Sequence, residues 1–404
     1  MTERQALFEA ILANPDDDLP RLVFADWLEE HGETDRSEFI RVQIERARLD
    51  EYDPLRGVLQ ERERELAKCL VEEESPFREL LARQLLPDHG RGWDFNPWEY
   101  ERGFIECVEF WSPDEFLGEA EALFRLAPIR HLYVHGEDGW SELFQSPHFA
   151  HLHTLEINRA NVSDAELMLL ASSTHAHHLK CLAVEGAGIS DVGFGALTRS
   201  FALSGLECLS LQKDPHGGGT NFIGPTGIHH LINAPYFTRL TRLDFSGNIL
   251  GPMGASFLAS WVRGNQLTHL RLSNCGLRGD AWTPLLSSPH LNRLKQLDLS
   301  NNGLDAAFAQ TLATWPNLST LRHLDLDGNP LLSFGIIPLI ESPALASLQL
   351  LSLAETGIGD AGVRAILASP HLNGIRHLDL RGNGMILAQE REALKRRFGD
   401  RALV

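Results

Sequence analysis

Cysteine is scarce in this 404-residue chain: there are five, an odd number with no CxxC pair, which argues against a disulfide framework and against a zinc ribbon. No segment runs to eighteen uncharged apolar residues, so none reads as a membrane span. The opening "MTERQALFEAILANPDDD" lacks a basic lead, a long apolar run and a small-residue cleavage site, and so does not read as an export signal. Positive charge is also short. Lys and Arg number 36 against 55 Asp and Glu, a net of -19, and residues 1–100 alone hold 25 acids and 13 bases. Such a surface repels phosphate backbones and anionic lipid, so nucleic acid and membrane are disfavoured as partners. These absences together lead us to expect a cytoplasmic protein.

What the chain has in abundance is self-similarity. The stretches "LTRLDFSGNIL" (240–250), "LTHLRLSNCGL" (267–277), "LKQLDLSNNGL" (294–304), "LRHLDLDGNPL" (321–331), "LQLLSLAETGI" (348–358) and "IRHLDLRGNGM" (375–385) each begin 27 residues after the last. This is the leucine-rich repeat pattern, L-x-x-L-x-L-x-x-N-x-L, with a period suited to one strand and one helix per unit. Upstream, "LECLSL" at 206, "LKCLAV" at 179 and "LHTLEI" at 152 continue it. The shorter, more degenerate "IRHLYV" at 129 and "IECVEF" at 105 bring the expected strands to eleven. The rhythm breaks between Leu209 and Leu243, which lie 34 apart, so seven extra residues fall within "KDPHGGGTNFIG".

In "LKQLDLSNN", Leu297 and Leu299 alternate with Gln296, Asp298 and Ser300, so the leucines point inward and the others lie on the open face of the strands. The turn that follows must satisfy buried amides. Asn248, Asn302, Asn329 and Asn383 stand where a side-chain amide does this, and Cys275, Thr356, Ala187 and Ala160 replace it in other units. A helix then returns on the other face. In "DAWTPLLSSP", Asp280 is the expected N-cap, Trp282, Leu285 and Leu286 point inward, and Pro289 follows the helix; Asp360, Val363, Ile366, Leu367 and Pro370 repeat the scheme. Stacked units need closed ends. The final "LAQEREALKRRFGDRALV" supplies Leu387, Leu394 and Phe398 for a capping helix.

At the other end, Thr2-x-x-Gln5 has the pattern of a capping box and Asn14-Pro15 ends the first helix. A second helix is expected from about Asp18, with Leu19, Leu22, Val23 and Trp27 on its apolar face, Asp26 near the seam, Glu29 and Glu30 outward, and Gly32 as its stop. "RSEFIRVQIERARL" reads as a third helix burying Phe39, Ile40, Ile44 and Ala47, and "LQERERELAKCLVEEE" as a fourth. "PDDDLPRLVFADWLEEHG" with "RSEFIRVQ" resembles the bacterial repeat-companion domain, a short helical module that precedes repeat arrays, over about residues 5–49. "ERGFIECVEF" and "LFRLAPIRHLYV", entered through Arg102-Gly103-Phe104, are similar to the junction in such proteins. The resemblance implies an architecture and a bacterial origin, and no activity.

Candidate chemistry is sparse. Asp26, Trp27, Glu30 and His31 read as an aromatic anchor with solvated acids and a helix-terminal His. On the open face of the repeats, His131, His269, His323 and His377 precede the second leucine, and Glu156, Asp244, Asp298, Asp325 and Asp379 stand two positions later. His323 with Asp325, and His377 with Asp379, have residue types found at metal and catalytic sites. Asp is nevertheless a common choice in "LDLS", so the expectation is a hydrogen-bonded ladder with no metal, cofactor or catalytic group. Positions three, five and seven of the strands hold eight acids (Glu109, Glu156, Glu185, Asp244, Asp298, Asp325, Asp327 and Asp379) against Arg242, Arg271 and Arg381. Cys181 and Cys208, at equivalent positions, are expected as free thiols because a disulfide between in-register parallel strands is awkward. "HGGGT" lacks the lysine of a phosphate loop.

The fold class expected is α/β: a leucine-rich repeat solenoid of the ribonuclease-inhibitor kind, strands concave and helices convex, preceded by a small all-α module. Residues 1–50 form the module, 51–100 a helical spacer and cap, 101–385 the array and 386–404 the capping helix. An open surface offers contact area without an enclosed dry site, so the expected function is a non-enzymatic scaffold for a protein partner of basic or mixed charge. Its candidate binding residues are Glu156, Asp244, Arg271, Asp298, Asp325, Asp327, Asp379, His269, His323 and His377, with His216, Thr220 and Asn221 on the inserted loop. Similar repeat folds include a eukaryotic activator of a small GTPase, which makes regulation of a nucleotide hydrolase the alternative. An enzyme or metal-binding protein built on the His and Asp ladders is third.

Overall fold

The computed structural model describes residues 1–70, 75–80, 98–136, 138–158, 162–213, 219–384 and 386–404. The chain forms two compact units, one of residues 1–158 with 174–179, the other of 159–173 with 180–404.

The first unit opens with helices α1 (Glu3–Ala13), α2 (Asp18–Glu30), α3 (Thr34–Arg48) and α4 (Leu55–Leu66). The Thr2 hydroxyl accepts from the Gln5 amide at 3.2 Å, but the Gln5 side chain donates forward to Glu9, so only half of a capping box forms. Asp17 caps α2 by accepting from the Leu19 amide at 2.9 Å, and Gly32, at φ +85°, follows its C-terminal His31. The face that α2 buries differs from the expected one. Arg21, Phe24, Ala25 and Leu28 are buried, Leu22 and Trp27 are half-buried, and Leu19 and Val23 are exposed. Periodicity assigns an arginine to water, whereas here Arg21 is inside with a carboxylate, and the buried stripe rotates to include it. In α3, Phe39, Ile40 and Ile44 are buried and Ala47 is exposed.

Strands β1 (Trp98–Glu101) and β2 (Phe104–Phe110) make an antiparallel hairpin, where the sequence reads as helical spacer up to residue 100. Its turn explains Arg102-Gly103-Phe104. Gly103 has φ +90°, and a Cβ there would lie 2.6 Å from Ile40 of α3. The Arg36 guanidinium donates to the Gly103 carbonyl at 2.6 Å, and the Gln43 side-chain oxygen accepts from the Gly103 amide at 2.6 Å. Phe104 then enters the core formed by Ile11, Phe24, Ala25, Leu28, Ile40 and Ile44. Strands β3 (His131–Val134) and β4 (Thr154–Asn158) extend β2 in parallel.

The second unit carries β5 (Cys181–Glu185), β6 (Cys208–Ser210), β7 (Arg242–Asp244), β8 (His269–Arg271), β9 (Gln296–Asp298), β10 (His323–Asp325), β11 (Leu350–Ser352), β12 (His377–Asp379) and β13 (Ala402–Leu403). They are parallel neighbours in chain order, separated by returning helices such as Gly251–Ser260, Leu332–Glu341 and Asp360–Ala368. Thus β2 to β12 occupy the eleven expected repeat positions; each unit has the α/β architecture of leucine-rich repeats, and in the first unit helices precede them. Leu324, Leu351 and Leu378 are fully buried between strands and helices. The helix after β8 starts as a 3-10 turn at Gly279, so Asp280 is not its N-cap, though Trp282 and Leu285 are buried as expected. At the end of the array the helix Ala388–Phe398 buries Leu394 and Phe398, leaves Leu387 exposed, and is followed by β13 pairing with β12.

Repeat turns are held by a ladder of buried asparagines. Asn302 accepts from the Cys275 and Leu277 amides of the preceding turn at 2.8 and 3.2 Å and donates to the Leu272 and Leu299 carbonyls. Asn329 does the same for Asn302 and Leu304, and Asn383 for Thr356 and Ile358. Each side-chain amide satisfies backbone groups that are shut off from water, where an unpaired amide is destabilising.

Candidate functional site

Pairing in register builds the ladder. Asp244, Arg271, Asp298, Asp325, Ser352 and Asp379 stand opposite one another on β7 to β12. Two residues earlier on the same strands come Arg242, His269, Gln296, His323, Leu350 and His377. Neighbouring rungs are about 4.8 Å apart, the spacing of paired strands. The structure therefore brings nine of the candidate residues onto one face: five acids, counting Asp327 just beyond β10, one arginine and three histidines.

These acids differ in how open they are. Asp298, Asp325 and Asp327 are partly exposed and Arg271 is exposed, whereas Asp244 and Asp379 are buried. The turn engages four of them alike. One carboxylate oxygen of Asp244, Asp298, Asp325 and Asp379 accepts from the amide two residues on, in Ser246, Ser300, Asp327 and Arg381, at 2.8 to 3.0 Å. Asp327 accepts from Ala354 of the following repeat at 2.7 Å. Asp244, Asp298, Asp325 and Asp379 thus end their strands with one oxygen engaged, and at Asp298 and Asp325 the second oxygen is what remains for a partner.

Burial pushes the Asp244 carboxyl above the usual range. Asp325 is pushed up to about 7, by burial first and then by Asp298, Asp327 and Asp379 nearby, against the Asp327 amide that favours its anion. Burial likewise raises Asp327. Burial alone would raise Asp379, but the Arg381 guanidinium, bonded to both its oxygens at 2.5 to 3.0 Å, holds it below that range. Arg271 approaches Asp244 at 3.8 Å. The middle of the ladder, from Asp298 to Asp327, is where carboxylates crowd one another.

Glu156 belongs to the first unit, half-buried on β4 and paired in register with Tyr133. Of the loop candidates, His216 lies outside the described residues and Thr220 is half-buried. Asn221 is 3% exposed and is the missing asparagine of the ladder. It accepts from the Ala187 amide at 3.0 Å and donates to Val184, Leu211 and Gln212 carbonyls. The signal for this is in the spacing: Asn follows the second leucine by five residues elsewhere and by twelve from Leu209, which is five plus the seven inserted.

The motif "RLVFADWLEEHG" holds a structural cluster. His31 stacks on Trp27 with ring centres 3.9 Å apart, and Arg41 bridges Asp26 and Glu29 at 2.7 Å each. Among the described residues no helix is long and apolar enough to cross a membrane.

A family model described as a leucine-rich repeat matches residues 344–367. A search of curated proteins gave no match. Among solved structures, the chain is similar to an internalin from Listeria monocytogenes, at 22% identity and a TM-score of 0.40, over 62% of this chain and 60% of that one. It thus spans less than two thirds of that internalin. It is also similar to a chain from the yeast complex of Rad7 and Elc1, at 15% identity and a TM-score of 0.46, over 86% of this chain and 92% of that one.

Proposed function

We propose that the protein is a non-enzymatic scaffold that binds a protein partner of basic or mixed charge along the acidic row of its repeat strands. The observation that carries this reading is the in-register pair Asp298 and Asp325 on neighbouring strands, with Asp327 two residues past Asp325: three partly exposed carboxylates over two adjacent repeats. With Asp325 held near 7, this run is short of positive charge, and a lysine or arginine from a partner relieves the repulsion while reading the row. Asp244 and Asp379 shape the row from beneath, because their oxygens are committed to Ser246 and Arg381. His269, His323, His377 and the Thr220 loop belong to the same proposal as flanking contacts, and Glu156 is proposed as a partner contact of the first unit by itself.

The test is affinity capture from a bacterial lysate with the wild-type chain and with a variant carrying Asp298→Asn, Asp325→Asn and Asp327→Asn, both shown to be folded by circular dichroism. A protein held by the first and lost by the second supports the row as the recognition surface. Equal capture by both removes it.

A further inference from the structure

We propose that Glu101, Cys107 and His131 form a three-ligand site for a zinc-class divalent cation, with water completing the shell. The site lies in the first unit, away from the acidic row, and stands independently of the binding role proposed above.

Three strands supply the ligands. Cys107 on β2 pairs in register with His131 on β3, and Glu101 ends β1. The β1–β2 register shifts between Glu99 and Tyr100, so that no β1 residue stands opposite Glu106, and a bulge of this kind re-aims neighbouring side chains. The Cys107 sulfur lies 3.2 Å from His131 Nδ1, which lies 3.6 Å from a Glu101 oxygen; all three ligand atoms are within 4.8 Å of one another. A tetrahedral zinc shell with ordinary bond lengths has sulfur–nitrogen and nitrogen–oxygen edges of about 3.5 and about 3.4 Å. The observed pair distances fall within a few tenths of an ångström of these.

The geometry also separates a metal site from a nucleophile relay. In a Cys–His–acid relay the imidazole contacts the thiol through one ring nitrogen and the acid through the other. Here the same Nδ1 faces both, so the three groups converge on one point. The surroundings favour a cation there. Glu99, Glu101, Glu106 and Glu156 set negative charge around the Cys107 sulfur, and a cation at the convergence point offsets it. Cys107 is 1% exposed, while the Glu101 and His131 side chains are 44% and 22% exposed, which gives the site a closed floor and a wet mouth for entry and for the water ligand.

The experiment strips the purified full chain with a chelator and titrates it with cobalt(II), followed by competition with zinc. The expected result is a single equivalent of bound cobalt, with a thiolate-to-cobalt charge-transfer band and tetrahedral ligand-field bands that zinc bleaches. Cys107→Ser removes the charge-transfer band, Glu101→Gln weakens binding by about tenfold or more, and Cys181→Ser changes neither. Glu101 is exposed enough that its variant keeps the fold, so it decides the matter even if Cys107→Ser does not fold. Absence of the cobalt spectrum in folded wild type, a band that survives Cys107→Ser, or unchanged affinity in Glu101→Gln overturns the proposal.

Discussion

Arg21 of α2 and Glu106 of β2 meet at 2.9 Å with both side chains cut off from water, at 0% and 1% exposure. Arg102 adds a second cation at 2.6 Å. Burial dominates both partners: it pulls Arg21 down to about 10 against the attraction of Glu106, and it pushes Glu106 up against Arg21 and Arg102. Desolvation therefore outweighs attraction, and the pair specifies how helix and hairpin meet more than it stabilises them. Glu106→Gln, which strands the Arg21 charge, is expected to cost about 3 to 5 kcal/mol in urea unfolding. The double variant Arg21→Met with Glu106→Leu is expected to cost much less than either single change. A double variant as damaged as the singles would show that the pair is a net stabiliser.

Asn221 provides a second test, because it was a candidate for binding and the structure places it in the asparagine ladder. Asn221→Ala removes the acceptor of the Ala187 amide and the donor to the Val184 carbonyl, while the Leu211 carbonyl keeps Asn248. The expected loss is about 2 to 4 kcal/mol, matching Asn302→Ala, since both leave buried backbone groups unsatisfied. A loss of binding with stability unchanged would return Asn221 to the surface.

The repeat strands were legible because their leucines recur at one interval and each burial event repeats the last. Register followed from the same interval, so the row of Asp244, Asp298, Asp325 and Asp379 was readable as a row. The burial of Asp244 and Asp379 was not, since it depends on individual neighbours, Arg381 against both oxygens of Asp379 and Arg271 beside Asp244, which the repeat does not mark. The face of α2 departs from its periodicity because Arg21 pairs with a carboxylate 85 positions away, which no local period reveals. β1 has no repeat to mark it, and a strand of four residues within a charged segment carries little pattern. Cys107 and His131 share one position in the repeat frame, so their adjacency was present in the alignment of "IECVEF" with "IRHLYV". Glu101 joins them only through the hairpin and its bulge.

Asp325 links the ladder to pH. Its folded value near 7 lies above the unfolded value of about 3.9, so the unfolded chain loses this proton first as pH rises. The stability that the protonated carboxyl contributes is complete below about pH 4 and is lost as pH rises through 7. Asp325→Asn keeps an oxygen for the Asp327 amide and removes the charge. Relative to wild type, it is expected to gain roughly 1 to 3 kcal/mol between pH 4.5 and pH 8, allowing for solvent screening. Denaturant unfolding at the two pH values measures this; a constant difference between variant and wild type would mean that the carboxyl ionises freely.

Recognition along the acidic row is tested most directly by a binding isotherm of the captured partner. It compares wild type with the Asp298→Asn, Asp325→Asn, Asp327→Asn variant and with a charge-matched control. The control carries Glu61→Gln, Glu121→Gln and Glu392→Gln, three exposed acids elsewhere. The row variant is expected to bind about tenfold or more weakly with a flatter salt dependence, while the control binds like wild type. Equal weakening of both variants would reduce the effect to net charge and contradict a site on the row.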